Sequence, residues 1–437
     1  ADSIRERREE IATRFWFDRE VRIRRSALGP IVSDTPYFPA RPGEAIALRW
    51  TGYEPSDEIT AFLKVMRARS AEEFRRALGG YGVGGQNMLC ATKTGDICQV
   101  MAVHLPIRGA PMTELLRRPD DPAAAWRGEA DAMTLPWALD PPDGLLASAN
   151  NRPTETSIPV GYFFPPSDRV ERLYALLRAK DKLAVDDLAA LQQDVFSPSA
   201  LRMKTELVEA IEAAGAGHGE PAFLQALKGW DGCYAADLPG PVAFETLLYE
   251  VAGRLYGGGS GDDVPAVKSD WRYLMHFLAS DLDAVPQPRR AALLESAIRA
   301  AAADSRPYPS WGDMHRMRIG HLLAGVPLLG PFFTLETYGT GGSRNTILKT
   351  AHGLTNRRHY ASYGSDARQI SDLSDPDANW FVLLGGQDGW LGSANFADEV
   401  GLWRAGDSIR MPLRADSVVA QFPLVLRLMP ERRISAG

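Results

Sequence analysis

The chain has 437 residues with a net charge of −6, and 45% of its residues are hydrophobic and 24% charged. This is the composition of a globular protein, long enough for two or three average domains or for one large enzyme fold. Acidic and basic residues are interspersed and no basic stripe stands out, so we expect no nucleic-acid partner. No apolar run approaches the roughly 20 residues that cross a bilayer, so we also expect no membrane span.

The first 150 residues mix helix and strand signals. The charged start, ADSIRERREE, is helix-prone. Ser70, with Glu73 three residues later, predicts a capped helix over AEEFRRAL. The short apolar segment 145–149 predicts a buried strand that ends at two asparagines.

The three cysteines, Cys90, Cys98 and Cys233, have no metal-ligand spacing. Residues 87–92 and 97–104 predict a hairpin across a Gly-Asp turn, which would place the thiols of Cys90 and Cys98 near each other. Two buried free thiols are the preferred interpretation, and a disulfide is the alternative.

Helical and strand patterns succeed each other along the rest of the chain. Between Asp168 and Ala303, apolar residues recur at three- and four-residue steps in VERLYALL, VDDLAALQQDVF, LRMKTELVEAIEAA, AFETLLYEVAGRLY, DWRYLMHFLASDL and PRRAALLESAIRAAA. After residue 330, short strands are predicted over FFTLETY, NTILKTA, HYASYG, RQISDL, NWFVLLG and VVAQFPLVLRL. The sequence therefore predicts an α+β fold in three parts: strands over 1–165, a helical insertion over 166–305 and returning strands over 306–437.

Other catalytic constellations are not supported. His315 and His321 are six residues apart, which does not place them on one helix face to bind a metal, so we interpret both as structural. No G-x-S-x-G elbow occurs, and no glycine run is followed by G-K-[ST] as a phosphate loop requires.

A series of segments resembles the β-chain of the penicillin acylase family of N-terminal-nucleophile hydrolases. In chain order they are GQNMLCATKTGDI, LLASANNRPT with YFFPPSDRVERL, LQQDVFSPSA, LKGWDGC, WGDMHRMRIGH, GTGGSRNT, GSDARQISDL and GGQDG. The resemblance runs from about residue 20 to residue 425. Each segment alone is weakly specific, but their common order along the chain is specific.

The resemblance implies a four-layer αββα sandwich and an amidohydrolase, or acylase. Such enzymes transfer an acyl group to the first residue of the β-chain and then to water. A serine hydroxyl is a poor nucleophile until a base takes its proton, and in this family the base is understood to be the serine's own α-amino group. The tetrahedral intermediate then needs donors for its oxyanion.

The same resemblance assigns two catalytic residues. Asn150 falls on the family's oxyanion-hole asparagine and Arg169 on its active-site arginine, which orients the asparagine. Asn151 is expected to support the turn. From the residues alone, the alternative is that Asn150 ends a strand in a turn, that Asp168 and Glu171 cap the next helix and that Arg169 is an exposed first-turn residue.

The nucleophile itself is missing from the sequence. Residue 1 is Ala1, and Ser3 is not terminal, so we expect the N-terminal serine on a companion chain. The resemblance begins at a position well inside the family's β-chain. Three interpretations are therefore open: a fragment of a processed precursor, one product of a split gene, or a degenerate relative. Leu28 stands where the family usually has histidine. Three further departures favour the last alternative, Asp388, Asn395 and Glu399, whereas the retention of Asn150 and Arg169 argues against full degeneration.

Two functions are therefore carried forward. The first is an acylase subunit that cleaves a small N-acyl amide, such as an N-acyl homoserine lactone, an acylated peptide or a β-lactam. The second is an inactive acylase-like scaffold that binds an acylated ligand or a protein partner. The resemblance implies a periplasmic or secreted protein and no required cofactor. Calcium, which some members of the family bind, cannot be assigned to residues of this chain.

Overall fold

The computed structural model describes residues 4–109, 116–122, 125–153, 158–161, 164–258 and 263–429. The start of the chain as far as Ser3, and residues 162–163 of the family-like segment, lie outside these ranges. The structure divides into two compact units, Ala1–Phe164 and Pro165–Gly437. Both units contain helices and strands, as the predicted α+β class requires. The predicted division into three parts stays a prediction.

In its described residues, the first unit contains short strands and two α-helices. Its strands are β1 Arg5–Ile11, β2 Arg19–Ser26, β3 Gly29–Pro30, β4 Gln86–Ala91, β5 Ile97–Ala102, β6 Leu105–Arg108, β7 Trp126–Ala130 and β8 Trp137–Leu139. Its helices are α1 Glu58–Val65 and α2 Ala71–Leu78. The strands form three small sheets in the orders β1-β2-β3, β4-β5-β8 and β6-β7.

The helix-prone interpretation of the chain start is wrong, because residues 5–11 form β1. This strand pairs antiparallel with β2, and all seven of its residues are exposed. Arg8 directly faces Arg22 and Glu10 faces Glu20, and the ion pair between Arg8 Nη1 and Glu20 Oε1 at 3.1 Å runs diagonally across the ladder. The backbone ladder with β2 outweighs the helix propensity of arginine and glutamate.

The predicted hairpin and the predicted capped helix are both confirmed. In β4 and β5 the residues pair antiparallel from Gln86 to Ala91. The Ser70 hydroxyl accepts a hydrogen bond from the N–H of Glu73 at 3.1 Å, which caps α2. Phe74 and Leu78 of this helix pack into one core with Val100 of β5, so the hairpin and α2 stabilise each other.

The second unit begins with the predicted helical stretch. Its helices are α3 Asp168–Leu177, α4 Val185–Leu191, α5 Pro198–Ala214, α6 Pro221–Gly229, α7 Gly240–Tyr256, α8 Ala266–Ser269, α9 Trp271–Asp283, α10 Gln287–Ser305, α11 Trp311–Met314, α12 Val400–Ala405 and α13 Ala415–Gln421. All six predicted helical segments are confirmed, and α6 and α8 are additional. Within the described ranges, no helix combines the length and the apolar character that crossing a bilayer demands.

Helix α7 is the centre of this unit. Every residue from Gly240 to Gly253 is buried, and its apolar side chains share one core with α5, α9 and α10. A helix that is apolar on all sides is typical of a position surrounded by other elements. The charged residues of α7 are therefore forced to find partners inside the protein.

The strands of the second unit follow the helices. They are β9 His315–Gly320, β10 Thr334–Gly339, β11 Thr350–Ala351, β12 His359–Tyr360, β13 Tyr363–Gly364, β14 Arg368–Ser371, β15 Asn379–Val382 and β16 Ile409–Arg410. They form sheets in the orders β10-β9-β12, β11-β13 and β14-β15-β16.

The strand predicted over VVAQFPLVLRL is wrong. Its first residues belong to α13, and residues 422–429 have no regular structure. The carboxylate of Asp377 accepts hydrogen bonds from the N–H groups of Leu413 and Arg414 and from the hydroxyl of Ser417, which fixes the start of α13. Pro423 lacks an N–H group, so the segment after the helix is a poor strand.

Candidate active site

The segment that leads to Asn150 is a loop, so the strand predicted over residues 145–149 is wrong. Strand β8 pairs with β5 and ends at Leu139, where Asp140 takes a φ of 46° and turns the chain away from the sheet. The Asp140 carboxylate accepts a hydrogen bond from the N–H of Ile97 at 2.8 Å. This contact anchors the loop to β5, and residues 145–149 do not form a strand.

Asn150 itself has a left-handed backbone conformation. Its φ is 62°, its side chain is exposed, and the preceding Ala149 is buried. Asparagine tolerates this conformation better than most residues, and strained backbone of this kind clusters at functional sites. The Asn151 carboxamide holds the turn: its Oδ1 accepts from the Ala149 N–H at 3.1 Å, and its Nδ2 donates to the Arg152 carbonyl at 3.0 Å.

Arg169 is positioned by its neighbour Asp168 at the start of α3. The Asp168 side chain is buried, and its Oδ1 accepts a hydrogen bond of 2.6 Å from the N–H of Ser199 in the first turn of α5. That N–H is one of the donors that a helix leaves unpaired at its N-terminus. The alternative in which Asp168 caps α3 is therefore wrong, because its carboxylate instead fixes α3 to α5.

The Arg169 guanidinium forms a basic cluster with the Lys349 ammonium in the second unit, and Tyr363 lies beside them. Burial lowers the pKa of Arg169, while Tyr363 and Asp168 act in the opposite direction. Burial also lowers the pKa of Lys349, and the charge of Arg169 lowers it further. The Lys349 ammonium lies 5.1 Å from the centre of the Tyr363 ring. Two cations held near each other favour a site where negative charge develops.

The two residues assigned by resemblance thus lie in different units, Asn150 in the first and Arg169 in the second. Each has properties that suit the assigned chemistry. The Asn150 carboxamide is a neutral N–H donor that cannot compete as a base. The Arg169 guanidinium stays charged even where burial lowers its pKa, and its planar fork can fix a carboxamide oxygen.

A cluster of polar side chains, which the sequence analysis did not predict, is buried in the second unit. His315, His352 and His359 form a histidine cluster, with ring centroids 5.1, 4.8 and 4.8 Å apart. His315 Nδ1 lies 2.8 Å from His359 Nε2, and Trp311 stacks on the His315 ring at 4.8 Å. His352 and His359 lie close together in sequence, but His315 is distant from both, so no spacing signal could have grouped all three.

An ion pair lies beside the histidine cluster. Arg344 donates to both carboxylate oxygens of Glu245 on α7 at 2.9 Å, and Glu245 is completely buried. The Arg344 Nη2 also lies 2.9 Å from His352 Nδ1. His352 Nε2 in turn lies 2.9 Å from the Ser343 hydroxyl, but Ser343 is only 1% exposed. A nucleophile that substrate cannot reach is not catalytic, so this network is structural.

No metal site accompanies these groups in the part of the chain that the structure describes. There, no group of three or more His, Cys, Asp or Glu side chains is arranged to hold a metal ion. His321, outside the cluster, accepts a hydrogen bond from the Leu323 N–H at 3.2 Å.

The histidine cluster should make stability depend on pH. Burial lowers the pKa of all three imidazoles, and Arg344 lowers each pKa further, so the folded state holds them neutral. Below about pH 6.5 the unfolded chain binds protons that the folded state excludes, so the free energy of unfolding falls by up to about 1.4 kcal/mol per histidine and pH unit. Above that pH both states are neutral and the effect vanishes.

Urea unfolding between about pH 5 and pH 8 measures this dependence. His359→Gln should make the fall below pH 6.5 shallower. The exposed His276, changed to Gln, is the matched control and should leave the slope unchanged. An unaltered slope in His359→Gln would show that the cluster is not the cause.

Two of the departures from the family pattern have structural roles. Glu399 is 5% exposed, and its Oε2 accepts a hydrogen bond from the Leu383 N–H at 2.7 Å. The carboxylate of Asp388 accepts from the N–H of Trp390 at 2.7 Å and closes a turn. Neither residue therefore points to a degenerate site.

A sequence profile of the penicillin amidase family matches residues 2–420, so the chain belongs to this family. Its fold is that of N-terminal-nucleophile hydrolases: the structure of thermostable penicillin G acylase from Alcaligenes faecalis matches with a TM-score of 0.62 at 20% identity, over 98% of this chain and 81% of that one. The predicted family and fold class are both confirmed.

Two curated relatives show how much of such proteins the chain represents. Penicillin acylase 2 proenzyme of Pseudomonas sp. (strain SE83) is 26% identical over 97% of this chain and 56% of the relative. Acyl-homoserine lactone acylase QuiP of Pseudomonas putida is 27% identical over 66% of this chain and 40% of the relative. The chain spans about half the length of the curated relatives that it matches.

Proposed function

We propose that the chain is part of an amidohydrolase that cleaves a small N-acyl amide by acyl transfer to an N-terminal serine on a companion chain and then to water. The observation that carries this proposal is the match of the penicillin amidase family to residues 2–420, together with the shared fold. The serine's α-amino group, with an ordinary pKa of about 7.7–8.0, takes the hydroxyl proton as the serine attacks the carbonyl.

In this mechanism the residues of the chain stabilise charge. The attacked carbonyl oxygen becomes an oxyanion, and the Asn150 carboxamide donates a hydrogen bond to it. The Arg169 guanidinium orients the carboxamide. The exposed side chain and left-handed backbone of Asn150 support the first role, and the basic cluster supports the second.

Exposed apolar side chains support a companion chain. At the tip of the β1–β2 hairpin, Phe15, Trp16 and Phe17 are 90%, 74% and 82% exposed. In the segment after α13, Leu424 and Leu426 are 94% and 85% exposed. Apolar residues clustered in this way mark surfaces that another chain covers. We propose that the companion is the remainder of the same precursor or the product of a split gene.

The acyl group of the substrate is proposed to be apolar, because pockets of this type select acyl chains by burial. The names of the relatives, penicillin acylase and acyl-homoserine lactone acylase, support β-lactams and N-acyl homoserine lactones as the first substrates to test. A periplasmic or secreted location is proposed as well, because the chain belongs to the penicillin amidase family.

Intact-mass spectrometry with N-terminal sequencing of the purified native protein is the direct test. We expect a co-purifying chain that begins with serine, and hydrolysis of at least one member of a panel of acyl amides by the complex. A preparation with no such chain and no hydrolysis would leave the alternative, a scaffold that binds an acylated ligand or a protein partner.

A substitution at Arg169 tests its proposed orienting role. Arg169→Lys keeps the charge but loses the planar fork, so we expect kcat to fall by about 10²-fold because the carboxamide is misplaced. Arg178→Lys, at the exposed end of the same helix, is the matched control and should keep full activity. Equal activity in both variants would exclude the orienting role.

A further inference from the structure

Two thiols of the first unit face each other across the β4–β5 hairpin. Cys90 and Cys98 are directly opposed in the antiparallel register, so their side chains lie on the same face of the sheet. Cys98 is completely buried among Phe74, Leu78 and Val100, and Cys90 is half-buried at the edge of that core. The structure shows both as free thiols, which is the preferred prediction from the sequence.

The backbone spacing at this pair suits a covalent bond. The Thr92 N–H donates to the Asp96 carbonyl at 2.9 Å, and hydrogen-bonded pairs alternate along an antiparallel ladder, so Cys90 and Cys98 form the next such pair. The Cα atoms of such pairs are about 5.5 Å apart, inside the range of about 4.4–6.8 Å that disulfides span. The Cβ atoms of opposed pairs are about 4.5–5.5 Å apart, so the two strands must draw together slightly when a disulfide sets this distance to about 3.5–4.5 Å.

We propose that Cys90 and Cys98 form a cross-strand disulfide when the protein meets an oxidant that carries a disulfide, such as glutathione disulfide. The Cys90 thiolate attacks one sulfur of the oxidant and releases one glutathione thiolate. The Cys98 sulfur then attacks the Cys90 sulfur and releases the second. The two protein thiols lose two protons and two electrons, and the oxidant becomes two molecules of reduced glutathione.

The surroundings determine which thiol reacts first. Burial raises the pKa of both thiols, to about 12 for Cys98, and the nearby carboxylate of Asp96 raises the pKa of Cys90 further. The half-buried Cys90 is therefore the thiol that an oxidant reaches, and the buried Cys98 resolves the mixed disulfide from within the core. The bond should form slowly near neutral pH and faster in alkaline buffer.

The bond would also fix the base of the loop that carries Asn150. Strand β5 holds β8 on its other edge, and the Asp140 contact with Ile97 lies next to Cys98. Oxidation would therefore fasten β5, the strand to which this loop is anchored.

Peptide mapping tests the proposal on the full chain, with its companion where one co-purifies. Trypsin cleaves after Arg76, Lys93 and Arg108, so Cys90 and Cys98 fall on the separate peptides 77–93 and 94–108. Native protein is incubated with glutathione disulfide, the remaining thiols are alkylated after unfolding, and the digest is analysed without reductant. We expect the two peptides to be linked, and dithiothreitol to separate them.

Two further measurements make the result specific. In Cys90→Ser, Cys98 should stay alkylatable after the same treatment, because it cannot capture the oxidant by itself. Cys233 serves as the internal reference and should remain unlinked. Alkylation of both hairpin thiols after oxidation, a glutathione adduct at Cys90 that never resolves, or a link from either thiol to Cys233 would each overturn the proposal.

Discussion

Asn150→Ala is expected to lower kcat for acyl-amide hydrolysis by about 10²–10³-fold, because one donor to the developing oxyanion is lost. KM should change much less, since the carboxamide is proposed to act mainly in the transition state. The measurement is steady-state hydrolysis by the processed complex, with a thermal unfolding curve to show that the fold persists.

Asn150→Gly is the matched variant for this experiment. Alanine at a φ of 62° adds backbone strain of about 1–2 kcal/mol, whereas glycine adopts this conformation without a steric penalty. Both variants should lose the same activity, and only alanine should lower Tm through strain. Full activity in Asn150→Gly would show that the carboxamide is not the oxyanion donor and that the residue serves the turn alone.

Glu245→Gln is expected to lower the free energy of unfolding by about 3–5 kcal/mol, because it leaves the Arg344 guanidinium buried without its counter-charge. The hydrogen bond of 2.7 Å that the Tyr234 hydroxyl donates to Glu245 would be weakened as well. Urea unfolding of the variant and of the unaltered protein gives the difference directly.

A surface pair provides the control for this second experiment. Arg404 and Glu336 are 2.7 Å apart but 56% and 42% exposed, so Glu336→Gln should cost less than about 1 kcal/mol. Glu245→Leu alone should also lower the free energy of unfolding, because Arg344 is left unpaired. The double variant Glu245→Leu with Arg344→Met should recover much of that loss, because the unpaired charge is then gone. A cost for Glu245→Gln as small as that for Glu336→Gln would contradict the assigned role of the buried pair.

Local signals in the sequence predicted much of the fold. The three- and four-residue periodicity predicted six helical segments between α3 and α10, and all six contain helices. The capping pattern at Ser70 predicted α2. The failures share one cause, which is that tertiary contacts overrode local patterns. The backbone ladder with β2 made β1 a strand, and the contacts of Asp377 made the predicted last strand begin as a helix.

The candidate site was less accessible to sequence reasoning. Asn150 and Arg169 were identified by resemblance to a family, because no periodicity or spacing distinguishes them from a turn residue and a first-turn residue. The conformation of Asn150 and the bond from Ser199 to Asp168 depend on contacts that appear only in three dimensions. The same is true of the histidine cluster, because His315 on β9 meets His352 and His359 only in three dimensions.

The complete burial of α7 has a consequence for how the second unit opens. A helix with a solvent face can detach while its neighbours stay folded, but α7 from Gly240 to Gly253 has no such face. Its backbone amides can reach water only when the surrounding helices separate together. The helices packed around α7 therefore unfold together. Slow amide exchange within α7 reports the stability of this whole group of helices rather than of a local segment.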